Sequence, residues 1–253
     1  MRTLLALWRI LRGFWHVLLG LWIVAVRFPR LGREVREERV QVWSLQMLAL
    51  WGIHLKVIGQ PVAGGPALLV ANHISWLDIL VIHAARHCRF VSKSDIRSWP
   101  LIGMLATGAG TLYIERASRR DALRMVGDMT EAMRDGDVVA VFPEGTTSDG
   151  RALLPFHANL IQSAIAAEAP VQPMSLKFVS ARSGDMSFAP CYIGDDTLIG
   201  SIWRTLTAEP IVAVVHFGEP QMAQGRDRRV WAQDLRETVA RLRDHDGINA
   251  TQK

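Results

Sequence analysis

From Ala67 onward, short apolar runs alternate with helix-patterned stretches, and this alternation limits the possible folds more than any other property of the chain. Ala67-Leu68-Leu69-Val70-Ala71 and Val138-Val139-Ala140-Val141-Phe142 hold no polar residue, which marks each as a buried strand. Further strands are expected at 89–92, 111–114, 171–178 and 211–217, and helices at 76–86, 97–106, 118–134 and 157–168. Ser118 with Asp121 supplies a capping pair for the third of these helices, and Asp135-Gly136-Asp137 turns it into the next strand. This order implies a single α/β domain with a central mixed β-sheet flanked by helices. A chain of 253 residues holds such a domain together with an appendage.

Directly after the first buried run, Asn72-His73-Ile74-Ser75-Trp76-Leu77-Asp78 places an imidazole five residues before a carboxylate. A carboxylate on one ring nitrogen fixes the tautomer and leaves the other nitrogen as an acceptor for a hydroxyl proton. Ser75-x-x-Asp78 ahead of Ile79-Leu80-Val81-Ile82 reads equally as a helix-capping pair, and the spacing alone leaves both roles open. A second segment follows the run ending at Phe142: the strand stops at Pro143 and enters Glu144-Gly145-Thr146-Thr147-Ser148-Asp149-Gly150, a glycine-containing turn of the kind that exposes backbone N–H groups.

Taken together, these segments resemble the glycerolipid acyltransferase family, whose best known members convert 1-acyl-glycerol-3-phosphate into phosphatidic acid. His73 and Asp78 match that family's motif of histidine, four residues and aspartate, and Phe142-Pro143-Glu144-Gly145-Thr146 matches its second signature. Gly110-Thr111-Leu112-Tyr113-Ile114-Glu115-Arg116 and Val171-Gln172-Pro173-Met174 are similar to its two other blocks, in the same order. The resemblance implies that His73, oriented by Asp78, takes the proton from a lysolipid hydroxyl as it attacks an acyl thioester, without an acyl-enzyme. The donor would be acyl carrier protein or a coenzyme A thioester, used as co-substrate with no further cofactor. Arg116, Lys93, Glu144, Gly145, Thr146 and Thr147 are the candidate residues for binding the acceptor.

Most family members carry arginine where this chain has Thr147, and arginine suits a bidentate grip on phosphate. Phosphate binding would then rest on Arg116, Lys93 and backbone N–H groups of the Gly145 turn. Glu144 would either bind an acceptor hydroxyl or brace the turn by accepting backbone N–H groups. The leading acceptor is 1-acyl-sn-glycerol-3-phosphate. The alternative is lyso-ornithine lipid, which has no phosphate monoester and is acylated by members of the same family.

The two cysteines, Cys88 and Cys191, offer neither a disulfide framework nor a metal cluster and read as reduced, buried thiols. No Gly-x-Ser-x-Gly elbow points to a serine hydrolase, and the eight histidines are too scattered for a metal site. Before residue 40, Arg2, Arg9, Arg12, Arg27, Arg30, Arg33, Arg36 and Arg39 face only Glu34, Glu37 and Glu38, so the formal excess of +5 lies wholly in this segment. No basic face remains on the rest for nucleic acid.

Trp8, Trp15 and Trp22 recur every seven residues beside Arg2, Arg9 and His16, a pairing that suits a bilayer interface. The apolar run from Gly13 to Val26 rises about 21 Å as a helix, short of the roughly 30 Å hydrocarbon core. Arg27-Phe28-Pro29-Arg30 follows where a cleaved signal peptide would need small residues. A second amphipathic helix is expected at 40–54. The expected organisation is therefore membrane-associated helices at 1–58, a catalytic domain at 59–248 and a polar tail at 249–253, placed at the cytoplasmic face of the cell membrane. A membrane-binding module without catalysis would use the same helices but leave the four matching blocks unexplained.

Overall fold

The computed structural model describes residues 2–115 and 119–245. Among the described residues, seven strands form one sheet: β1 (Ile53–Ile58), β2 (Ala67–Ala71), β3 (Arg89–Lys93), β4 (Leu112–Ile114), β5 (Val138–Val141), β6 (Val171–Ser180) and β7 (Ile211–Phe217), in the order β1-β7-β6-β2-β5-β3-β4. All neighbours are parallel except β6 and β7, so the sheet is mixed. The helices are α1 (Arg2–Trp22), α2 (Arg33–Trp51), α3 (Leu77–Ala85), α4 (Ile102–Gly108), α5 (Arg119–Arg134), α6 (Ala158–Ala167), α7 (Leu198–Thr207) and α8 (Arg228–Asp244).

The period-two geometry of a strand explains why β2 and β5 are apolar throughout. Leu69, Ala71 and Ala140 enter a core with Leu48 of α2 and Leu77, Val81 and Ile82 of α3. Leu68, Val70, Val139 and Val141 enter a second core with Met129 of α5, Ile161 of α6 and Trp231 of α8. Both faces are covered, so β2 and β5 carry no polar residue, while the neighbouring β6 buries Gln172, Ser175 and Lys177.

The sheet reaches further back along the chain than the sequence implies. Residues 53–58, grouped above with the N-terminal helices, form β1 and pair with β7 from Ile53↔Ile211 to Ile58↔His216. The alternation of Ile53, Leu55 and Val57 with His54 and Lys56 is the strand signal, masked by its closeness to a helix. That helix, α2, starts at Arg33 instead of residue 40, because the charged stretch is itself helical and holds an Arg33–Glu37 pair at 2.7 Å. It ends at Gly52, which takes the left-handed conformation (φ 70°) of a helix terminus. The helix expected at 97–106 begins only at Ile102, since Pro100 cannot sit inside one; Ser94–Ser98 form a separate 3₁₀ turn. The tail at 249–253 and Ser118 lie outside the described residues.

At the N-terminus α1 continues through a π-helical turn (Ile23–Arg27) and a 3₁₀ turn (Phe28–Arg30). The whole segment, Arg2–Arg30, is long and apolar enough to cross a membrane by length and composition. Trp8, Trp15 and Trp22 are 52%, 63% and 50% exposed, on a face that no part of the described chain covers. The opposite face carries Ala6, Gly13 and Gly20, again seven apart, and there α1 and α2 approach closely. A Cβ on Gly13 would stand 2.5 Å from the Trp51 indole nitrogen, and one on Gly20 2.7 Å from that of Trp43. Between them His16 is buried, not interfacial: its ring stacks on Trp43 with centroids 4.9 Å apart, and Trp43 Nε1 donates to the His16 carbonyl at 3.1 Å.

Candidate active site

β2 ends at Ala71, and the amide of Asn72 extends its pairing with β6 by one residue: Nδ2 donates to the Leu176 carbonyl at 3.0 Å and Oδ1 accepts from Leu176 N at 2.8 Å. The chain then leaves the sheet and delivers His73. Asp78, on the first turn of α3, is fully buried and gathers that turn onto one oxygen. Its Oδ2 accepts from His73 Nδ1 at 2.7 Å, from Ile74 N at 2.7 Å and from Ser75 N at 2.9 Å. The contact with Ser75 N is the carboxylate half of a capping box, so the capping and orienting roles coexist on a single atom. An oxygen already accepting two N–H groups receives from the imidazole too, which puts the ring proton on Nδ1. Nε2 is left as a bare acceptor, without a partner among the described residues, in a side chain 19% exposed.

The ring is held in plane as well as in tautomer. Phe142, at the end of β5, stacks on it with centroids 3.9 Å apart and planes 6° from parallel, and Phe90 of β3 stacks behind Phe142 at 5.7 Å. Glu144 is turned into the protein: Oε1 accepts from His73 N at 3.2 Å and Oε2 from Leu154 N at 3.2 Å. Of the two roles the sequence leaves open for it, the geometry is that of a brace. Burial, which disfavours the charged form, raises its carboxyl above the usual range despite the two N–H donors.

The remainder of the second signature is also engaged internally. Gly145 adopts φ 73°, its N–H donates to the Phe142 carbonyl at 3.1 Å, and a Cβ there would lie 3.0 Å from the His157 ring. That N–H is therefore committed to the turn instead of to a phosphate. The Thr147 hydroxyl donates to the Tyr192 carbonyl, Tyr192 N donates to the Ile74 carbonyl at 3.1 Å, and Ser148 N donates to the His73 carbonyl at 2.9 Å. Thr147 thus ties the loop of residues 189–196 to the histidine turn. The backbone N–H groups of Thr146 and Thr147 have no partner among the described residues.

Lys93 ends β3 on the same edge of the sheet, two strands from β2 and so roughly 10 Å across from the histidine turn. It is exposed. Arg116, expected beyond the end of β4, lies outside the described residues.

Sequence reasoning did not find the loop 189–196 or α7 behind it. Arg204 of α7 donates to the carbonyls of Ala189 (3.1 Å) and Cys191 and pairs with Asp196 at 2.8 Å, while Trp76 Nε1 donates to Ser201 Oγ at 3.0 Å. Asp196 is held below the usual carboxylate range by Arg204. The one local signal was Thr197, whose hydroxyl accepts from Gly200 N at 3.1 Å as an N-cap. Both cysteines are free and buried, and burial pushes Cys191 up to about 11 and Cys88 higher still, which suits inert thiols.

A mixed α/β sheet whose strand ends present an oriented histidine, with its ring face packed and one nitrogen open, is an arrangement able to accept a proton from a hydroxyl. The family model described as Acyltransferase matches residues 54–177. Lyso-ornithine lipid O-acyltransferase of Pseudomonas aeruginosa is 35% identical over 205 residues, covering 81% of this chain and 78% of that protein. A 1-acyl-sn-glycerol-3-phosphate acyltransferase of Neisseria meningitidis serogroup B is 36% identical over 209 residues, covering 81% of each. The crystal structure of PlsC, the 1-acyl-sn-glycerophosphate acyltransferase of Thermotoga maritima, matches in fold with a TM-score of 0.72 over 97% of this chain and 99% of that one, at 21% identity. The chain belongs to this acyltransferase family and is an acyltransferase.

Proposed function

We propose that the protein transfers a fatty acyl group from an acyl thioester to the free hydroxyl of a lysolipid, with His73 as general base and Asp78 as its orienting carboxylate. The observation that carries this is the 2.7 Å contact between His73 Nδ1 and a buried carboxylate oxygen, which leaves Nε2 as acceptor. Nε2 takes the hydroxyl proton as the oxygen attacks the thioester carbon. The tetrahedral oxyanion then collapses to the ester, and the departing thiolate recovers the proton from the imidazolium. Asp78 stabilises that transient cation, and the Phe142 stack keeps Nε2 in line. Because both substrates are held together, positioning supplies much of the acceleration.

The apolar segment Arg2–Arg30 attaches the enzyme to the membrane that contains its acceptor. Donors carried by acyl carrier protein or coenzyme A place the reacting edge on the cytoplasmic side. The leading acceptor is 1-acyl-sn-glycerol-3-phosphate, the substrate named in the Neisseria relative, with Lys93, Arg116 and the N–H groups of Thr146 and Thr147 offered to its phosphate. One observation favours a second acceptor, lyso-ornithine lipid: Thr147 is committed to the Tyr192 carbonyl, where an arginine would be needed to clamp a phosphate monoester. Assay of the purified full chain in detergent with each lysolipid and one common acyl thioester separates them. Ester formation with the glycerol phosphate acceptor supports the leading assignment, and turnover confined to lyso-ornithine lipid replaces it with the second.

A further inference from the structure

Away from the histidine turn, a cleft of about 490 Å³ opens between the end of the N-terminal helical segment and α4. Val24, Phe28 and Met104 give it an apolar wall, and Arg36 of α2 and Arg97 of the 3₁₀ turn are its charged residues. None of the residues around His73 lines it. Gly108 lets the two walls meet, since a Cβ there would fall 2.7 Å from a Val24 methyl. Neither guanidinium has a carboxylate partner among the described residues; that of Arg97 lies 5.8 Å from the centre of the Tyr113 ring. The residues adjoining the cleft in sequence, Trp22, Val26, Trp99, Leu101 and Ile102, are exposed and apolar.

We propose that this cleft binds the phosphate-bearing headgroup of an anionic membrane lipid, with Arg36 and Arg97 on the phosphate and the acyl chains laid along Trp22, Val26 and Trp99. Two guanidiniums without a carboxylate partner among the described residues, from elements sixty residues apart, line one concavity, and guanidinium forks bind phosphate oxygens by charge-assisted hydrogen bonds. The cleft lies where the apolar helix gives way to Arg27 and Arg30, which is headgroup depth for a membrane-attached helix. It also lies on the side of the sheet where β3 ends, so a lipid held there turns the reacting edge toward the bilayer. The proposal rests on membrane attachment through α1, but its test reads lipid binding in micelles and not turnover.

The full chain in neutral detergent is titrated with phosphatidylglycerol, phosphatidylcholine or inorganic phosphate while its melting temperature is followed. Stabilisation by phosphatidylglycerol alone is expected, with a half-saturating mole fraction roughly tenfold or more higher in Arg36→Ala/Arg97→Ala. Arg120→Ala/Arg124→Ala, which removes the same charge from an exposed face of α5, should respond as wild type does, and so should His73→Ala. An unchanged titration in the Arg36/Arg97 variant overturns the proposal. Equal stabilisation by inorganic phosphate overturns its lipid component, and a matching loss in the α5 control reduces it to bulk charge.

Discussion

Asp78 Oδ2 accepts from the imidazole and from two backbone N–H groups of the turn that carries it, so orientation of the histidine and local folding share one atom. Asp78→Asn keeps an acceptor there but removes the charge that would stabilise an imidazolium, and it leaves an amide donor where Oδ1 now lies buried without a partner among the described residues. We expect kcat to fall roughly 10²- to 10⁴-fold with little change in KM, measured by thiol release. An equal fall in kcat and rise in KM would instead point to a damaged binding surface. His73 and Asp78 were legible in the sequence because they lie within one turn. The brace from Glu144 to His73 N and the tie from Thr147 to Tyr192 were not, since they join residues 71 and 45 positions apart that only the sheet brings together.

Among the elements, α3 carries a buried acid-sensitive histidine. His83 is packed between His87 and Phe90, and desolvation, assisted by repulsion from His87, pushes it down to about 3. The unfolded chain takes up this proton near 6.5 and the folded chain only near 3, so the contribution is fully present above pH 6.5 and is lost as pH falls from 6.5 to 3. At pH 5 the loss is about 2 kcal/mol. His83→Leu should therefore flatten the fall in melting temperature between pH 7 and 4.5, and parallel curves for the two proteins would contradict this. The central elements were readable from apolar runs, as β2 and β5 show. Those at the margins were not: β1 follows α2 after the single residue Gly52, and α8 is an amphipathic helix whose only local signal is its Asp227 cap.

At the scale of the whole molecule, the parallel strands β2, β5, β3 and β4 point one edge at a single locale, and α1 belongs to the segment Arg2–Arg30 that is long and apolar enough to cross a membrane. Replacing the exposed Trp8, Trp15 and Trp22 together by serine should leave the buried Ala6–Gly13–Gly20 seam intact yet shift the protein from the membrane toward the soluble fraction. Fractionation with a high-salt wash checks it, and wild-type retention by the triple variant would transfer the anchor elsewhere. In the proposed mechanism His73 is the base for lysolipid acylation. Its most direct test is thioester consumption by the purified full chain in mixed micelles, with and without lysolipid, for wild type and a His73→Ala variant of matched melting temperature. The expected result is consumption that requires lysolipid and drops about 10²- to 10⁴-fold in the variant; near-normal, lysolipid-dependent turnover by folded His73→Ala would contradict the assignment of His73 as base.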